Sequence, residues 1–106
     1  MSDVMPWDRP FTVHPDPDLL DLIPIYLQRR HTDAARIADA IAAGDFDTVR
    51  FVGHSMKGSG GGYGFDGLTE IGGALEDAGS DSDLAAGARA LNHLIAYLDN
   101  VEVRHG

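Results

Sequence analysis

The run Val49-Arg50-Phe51-Val52-Gly53-His54-Ser55-Met56-Lys57-Gly58-Ser59-Gly60-Gly61-Gly62-Tyr63-Gly64-Phe65 holds both a clear helical signal and the main objection to one. Val49, Val52, Met56 and Ser59 or Gly60 recur at threes and fours, the spacing of one helix face, and the stripe continues toward Tyr63. With that stripe turned inward, His54 points out. Lys57 at i+3 and Gly58 at i+4 share its face, Gly61 extends the face by a turn, and Phe51 precedes it by three. A glycine inside a helix costs about 0.5–1 kcal/mol relative to alanine. Nine of the thirteen glycines fall between residues 53 and 73, so something must compensate. Close approach of a ligand or partner is the simplest compensation.

Outward from this run the chain reads as further helices. On the N-terminal side, Gly44 suits a helix C-terminus and Asp45 an N-cap. The helix before them runs back from Ala43 through Ile41, Ala38, Ile37, Ala34 and Leu27. Pro24 predicts a break or kink there, with a short helix Leu19–Ile23 before it, capped by Asp18. On the C-terminal side, a helix from Phe65 or Asp66 buries Phe65, Leu68, Ile71 or Gly72, Leu75 and Ala78, and Gly79 ends it. Ser80 and Ser82 offer caps, with Asp81 and Asp83 at the positive helix N-terminus. The last helix carries Leu84, Ala88, Leu91, Ile95 and Leu98, and fades between Asn100 and Val103. No window alternates with the period of a strand. The expected fold is all-α: an antiparallel up-and-down four-helix bundle over 18–103, with a short extra N-terminal helix. Residues 1–17 hold four of the five prolines and form an extended arm. Trp7 and Phe11 are its candidate attachments to the body.

Composition narrows the function. At 106 residues the chain has room for one domain and an ordinary core. It has no cysteine, which excludes disulfides, thiolate metal sites and redox thiols. Seventeen acids against eight bases make nucleic acid and anionic membranes poor partners. No apolar run approaches the length of a membrane span. The N-terminus, with Asp3 and Asp8, does not read as a secretory signal, and a soluble cytoplasmic protein is expected. His14, His31, His93 and His105 are scattered without metal-ligand spacing, so no metal site is expected. Gly62-Tyr63-Gly64-Phe65-Asp66-Gly67 imitates a dinucleotide fingerprint but follows no strand. Met56-Lys57-Gly58-Ser59 has the wrong order for a P-loop, and Gly53-His54-Ser55-Met56-Lys57 falls short of a nucleophile elbow.

The outward face of the first helix described is chemically coherent. Neutral imidazole is a nucleophile near pH 7. Lys57, the only lysine, is a compact cation suited to a phosphoryl group on a neighbouring side chain. Gly58 leaves room beside the ring. A carboxylate such as Glu76, accepting from one ring nitrogen, would fix the tautomer and favour the developing positive charge.

The set His54-x-x-Lys57-Gly58, then Gly64, Leu68 and Leu75-Glu76, resembles the histidine-containing phosphotransfer (HPt) family. It is similar also to the phospho-accepting domain of chemotaxis histidine kinases. The resemblance covers about residues 18–100. It implies a four-helix bundle that exchanges a phosphoryl group between His54 and the aspartate of a receiver domain. In it, Lys57 matches the lysine that meets the phosphoryl group, and Gly58 matches the glycine that leaves access. Glu76 falls where the family often has Glu or Gln within reach of the histidine. The chemotaxis relatives carry a further histidine three residues before that position, where this chain has Gly73. Phe51, Gly61 and Gly64 are candidate binding positions; Phe51 either anchors the receiver or folds against the neighbouring N-terminal helix. The implied protein is a monomeric phosphocarrier in a multistep phosphorelay, without a nucleotide site or kinase activity of its own. It needs no cofactor, since a divalent metal is expected in the receiver. An alternative is a non-phosphorylated binding module that occupies a kinase or receiver through the same face. The presence of both His54 and Lys57 argues against it. The dimerising helical domain of a sensor kinase is disfavoured, because Ser55 rather than an acid follows the histidine and no proline comes after.

Overall fold

The computed structural model describes residues 4–104, so Asp3 and His105 lie outside the described residues. Four helices make the body: α1 (Ile23–Ala43), α2 (Phe46–Gly60), α3 (Asp66–Ser80) and α4 (Leu84–Asn100). Each packs on the next, and α4 closes back onto α1. Short connections force neighbours antiparallel. Gly44, at φ 71°, ends α1. The Asp45 side chain then accepts from the Thr48 amide to cap α2, and Asp83 caps α4 through Ala86. The bundle is the one expected from the helical periodicity. No helix among the described residues is long and apolar enough to cross a membrane.

The N-terminal region differs from expectation in three ways. Pro24 neither breaks nor kinks a helix; it is the second residue of α1. The first four amides of a helix have no intrahelical partner, so a missing N–H costs nothing there. The short helix expected over 19–23 is instead a 3-10 turn, Pro17–Leu19, capped by Asp16 rather than Asp18. The arm also contains a strand. β1 (Phe11–Val13) pairs in parallel with β2 (Val101–Val103), which follows α4 directly. Three residues per strand are too few to show a period of two in sequence.

The core contains Ile37, Val49, Met56, Leu68, Leu75 and Leu94, all fully buried. The stripes expected for α2 and α3 are the buried ones. On α4 the phase differs by about one residue. Gly87, Ala90, Leu94, Tyr97 and Leu98 are buried, while Leu84, Ala88 and Ile95 face outward and Leu91 is half-buried. Ala38 on α1 is likewise exposed, and Ile23, Tyr26 and Ala40 take the inward positions. Aromatic rings link the arm to the body. Trp7 and Phe11 lie 5.9 and 4.8 Å from Tyr97, which meets Phe65 at 6.5 Å. Phe65 stacks on Tyr26 at 5.6 Å, and Tyr26 on Tyr63 at 4.2 Å. Such pairs add roughly 0.5–1.5 kcal/mol each beyond their buried area. Trp7 is 5% exposed, and its indole N–H donates to His93 Nδ1 at 3.2 Å.

Candidate functional site

The site begins with how closely α2 and α3 approach. A Cβ at Gly53 would lie 2.5 Å from the Glu76 amide nitrogen, and one at Gly72 would lie 2.5 Å from the Lys57 amide nitrogen. At Gly60 it would lie 2.7 Å from the Thr69 nitrogen, and at Gly79 it would run into the backbone of Arg50. Real Cβ atoms do not tolerate such contacts, so these four positions let two helix backbones touch. This corrects in part the expectation that the glycine excess is clearance for a ligand. Of the nine glycines between 53 and 73, Gly53, Gly60 and Gly72 are clearance for a helix and Gly67 is clearance for the Tyr97 ring, while Gly79 is a packing residue one position before the end of α3. Gly58 differs from all of these: a Cβ there meets nothing within 4 Å.

The narrow gap puts Glu76 within reach of two side chains on α2. Its Oε2 lies 2.7 Å from His54 Nδ1, and its Oε1 accepts from Lys57 Nζ at 3.2 Å. These hydrogen bonds, His54 first and Lys57 second, hold the Glu76 carboxyl below the usual range, so it is ionised at neutral pH. An ionised carboxylate only accepts. The shared proton therefore sits on His54 Nδ1, and in the neutral form of the ring the lone pair is on Nε2. Nε2 makes no hydrogen bond among the described residues. The His54 side chain is 71% exposed and Lys57 53%, against 21% for Glu76. The carboxylate is tucked between the helices while imidazole and ammonium reach into solvent. The position that would carry the chemotaxis histidine, Gly73, lies on the same helix, and a Cβ there would be 3.8 Å from Lys57 Cδ.

The other expected residues spread over the surrounding surface. Phe51 is 57% exposed, with the Arg36 guanidinium of α1 5.8 Å from its ring centre, so it leans toward α1 while staying open to solvent. Gly61 is exposed, and a Cβ there would be 3.6 Å from Thr69 Oγ1. Gly64 is a turn residue at φ 88°, with Pro15 3.2 Å from where its Cβ would be. Its left-handed backbone ends the turn after α2, on the side where the arm passes. One surface was not read from the sequence. Leu22 and Ile25 are exposed beside Arg29 and Arg30, and with Ser55 they border a groove between α1 and α2. Ile25 stands out of phase with the buried Ile23 and Tyr26, and that was the available signal.

The sequence model of the Hpt domain matches residues 21–103. No curated protein and no solved structure gives a significant match. The matched span takes in all four helices and every residue of the His54–Lys57–Glu76 cluster, and on it the chain belongs to the Hpt domain family, whose activity is histidine phosphotransfer in phosphorelays.

Proposed function

We propose that His54 is the phosphoacceptor and that it exchanges its phosphoryl group with the aspartate of a receiver domain. The observation that carries this is the 2.7 Å contact between His54 Nδ1 and Glu76, which in the neutral ring leaves the nucleophilic lone pair on Nε2. Nε2 attacks the phosphorus of an aspartyl phosphate. The Nε2–P bond forms as the P–O bond to the aspartyl oxygen breaks, and the electron pair leaves with the carboxylate. Nδ1 keeps its proton throughout. The ring becomes positive, and the Glu76 carboxylate stabilises that charge. Lys57 Nζ, held on the other oxygen of Glu76, is the cation nearest to hand for the phosphoryl oxygens. Phosphoryl transfer depends mainly on in-line placement and neutralised oxygens. This helix pair supplies half of that; the acceptor aspartate and its divalent cation belong to the receiver.

Incubation with a phosphorylated receiver is expected to give an acid-labile phosphoprotein, and His54→Gln to abolish the label. A label that persists in the variant assigns the acceptor elsewhere. Tight receiver binding without transfer under any condition would favour the non-phosphorylated binding module instead.

A further inference from the structure

The α1–α4 face of the bundle is aliphatic and open. On α4, Leu84, Ala88, Leu91 and Ile95 follow one another at steps of four, three and four, so they share one side of the helix. Leu84 is 57% and Ile95 44% exposed, Ala88 is exposed and Leu91 half-buried. The stripe borders α1: Gly87, one turn from Leu84 and from Leu91, has Ile41 3.6 Å from where its Cβ would be. Leu27, His31, Ala34 and Ala38 lie on the same side of α1 as Ile41, again at steps of four and three.

Charge is kept off this face. On α1, Arg29 and Arg30 line the groove with α2, Asp33 pairs with Arg30, Arg36 reaches Phe51, and Asp39 borders a hollow with Thr48. On α4, Arg89 stands about 100° round the helix from Ala88. Acids mark the two ends of the stripe, Asp83 before Leu84 and Asp99 after Ile95. A chain with a formal charge of −9 thus has one flank that is nearly neutral along its length.

We infer that two copies of the chain meet through this face, about a two-fold axis. The stripe reads the same from both ends. An axis crossing α4 between Arg89 and Ala90 sets Leu84 against the partner's Ile95 and Ala88 against the partner's Leu91. Aliphatic residues meet at the ends and small meets large in the middle, which is the self-complementarity a two-fold interface requires. Charge selects the same occupant: a second acidic chain is least repelled across a neutral face, and a basic partner finds acids only at its two ends. The area suffices. The 17 residues of α4 span about 25 Å. With α1 alongside at about 8–10 Å, the face covers roughly 500 Å² per copy, and roughly 1,000 Å² in all meets the lower bound of a specific interface. The His54 cluster lies between α2 and α3, across the ring of helices, so both copies keep it open. The family resemblance implies a monomer; this pairing belongs to the α1 and α4 of this chain.

Sedimentation equilibrium of the full chain between about 1 µM and 1 mM spans the affinities open to such an interface. The mass should rise with concentration from 11.3 kDa toward twice that value. Leu84→Glu and Ile95→Glu should each raise the dissociation constant at least about a hundred-fold, since one lost contact costs about ten-fold and the symmetric interface contains it twice. Both positions are exposed, so circular dichroism should show the helices intact. Ile25→Glu, an exposed aliphatic position on the α2 side, should leave the association unchanged. Added salt should tighten it by screening two acidic bodies. The absence of cysteine gives the register its own readout. Ala88→Cys lies near the axis and should oxidise to a linked pair, whereas Leu84→Cys, about 16 Å from its own copy along α4, should not. A mass of 11.3 kDa at every concentration overturns the proposal. So does a dimer that salt weakens, or one that Ile25→Glu disrupts as fully as Ile95→Glu. Equal cross-linking of Leu84→Cys and Ala88→Cys overturns the antiparallel axis.

Discussion

Glu76 has two jobs in one side chain, and they can be separated by substitution. One oxygen orients His54 and the other holds Lys57. Glu76→Ala frees both; transfer should slow, and nitrogen NMR of the imidazole should show the proton distributed over both ring nitrogens instead of held at Nδ1. Glu76→Gln can still accept through its amide oxygen, so it should keep the tautomer while losing the charge. An unchanged tautomer in Glu76→Ala would remove the positioning role. Lys57→Ala should slow transfer with the thermal unfolding midpoint unaltered. The pH dependence follows from the depressed Glu76 carboxyl. A carboxyl whose folded value lies below its unfolded value contributes stability above the usual glutamate range and loses it as pH falls through the folded value. Orientation of His54 should therefore persist through neutral and mildly acidic pH and fail only in strong acid, observable in the same NMR signals. The types and spacing of His54, Lys57 and Gly58 were legible because a single helix presents them. Glu76 was a candidate partner of His54 alone; that its other oxygen would hold Lys57 was not legible, since it depends on how far apart two helices stand.

That separation is set by glycine, at the scale of elements. Gly53, Gly60, Gly72 and Gly79 are buried where α2 meets α3. Gly72→Ala would force a methyl against the Lys57 backbone and should destabilise the fold by about 1–3 kcal/mol, the cost of overpacking a filled interior. By pushing the helices apart it should also weaken the hold of Glu76 on His54. Gly58→Ala is the opposite case. Its surroundings are empty, so urea unfolding should show a gain of about 0.5–1 kcal/mol from better helix propensity, accompanied by slower transfer to receivers. The two substitutions are indistinguishable by sequence, where both read as a helical glycine becoming alanine. The α4 phase shows the same limit. Leu84, Ala88, Leu91 and Ile95 form as regular a stripe as the buried one, and a wholly aliphatic one. The buried stripe holds Gly87 and Ala90, small enough for neighbouring helices to come near: a Cβ at Gly87 would lie 3.6 Å from Ile41 and 3.9 Å from Ala78. It also holds Tyr97, the ring on which Phe11 and Phe65 pack. Close packing and aromatic contact outweighed residue hydrophobicity, and neither is visible in one helix alone. Pro24 misled for a related reason: a proline forbids the interior of a helix but suits its first turn.

Across the whole molecule, the arm is part of the structure and not an appendage. Trp7 is buried against α4, donates to His93, and has its carbonyl bonded by Asn100 at 2.9 Å. Trp7→Ala should cost about 3 kcal/mol, in the range of removing a buried aromatic; thermal unfolding measures it. Trp7→Phe should lose less, since it forfeits mainly the hydrogen bond. As the only tryptophan, Trp7 also reports arm docking through its fluorescence. The prolines and the lone tryptophan made the arm recognisable, and Trp7 and Phe11 are indeed its attachments. What it attaches to, and the strand it forms with residues near the other end of the chain, depend on contacts far apart in sequence.

The β1–β2 pairing has a consequence for the order of events in folding. Helix hairpins such as α2–α3 close short loops, whereas Phe11 and Val101 lie about ninety positions apart, and closing so long a loop early is entropically unfavourable. The bundle should therefore form first and the strand pair last. In the folded protein the same three-residue ladder has no fully buried residue, so its amides should exchange with solvent through local opening, well before those of Val52, Leu75 or Leu94.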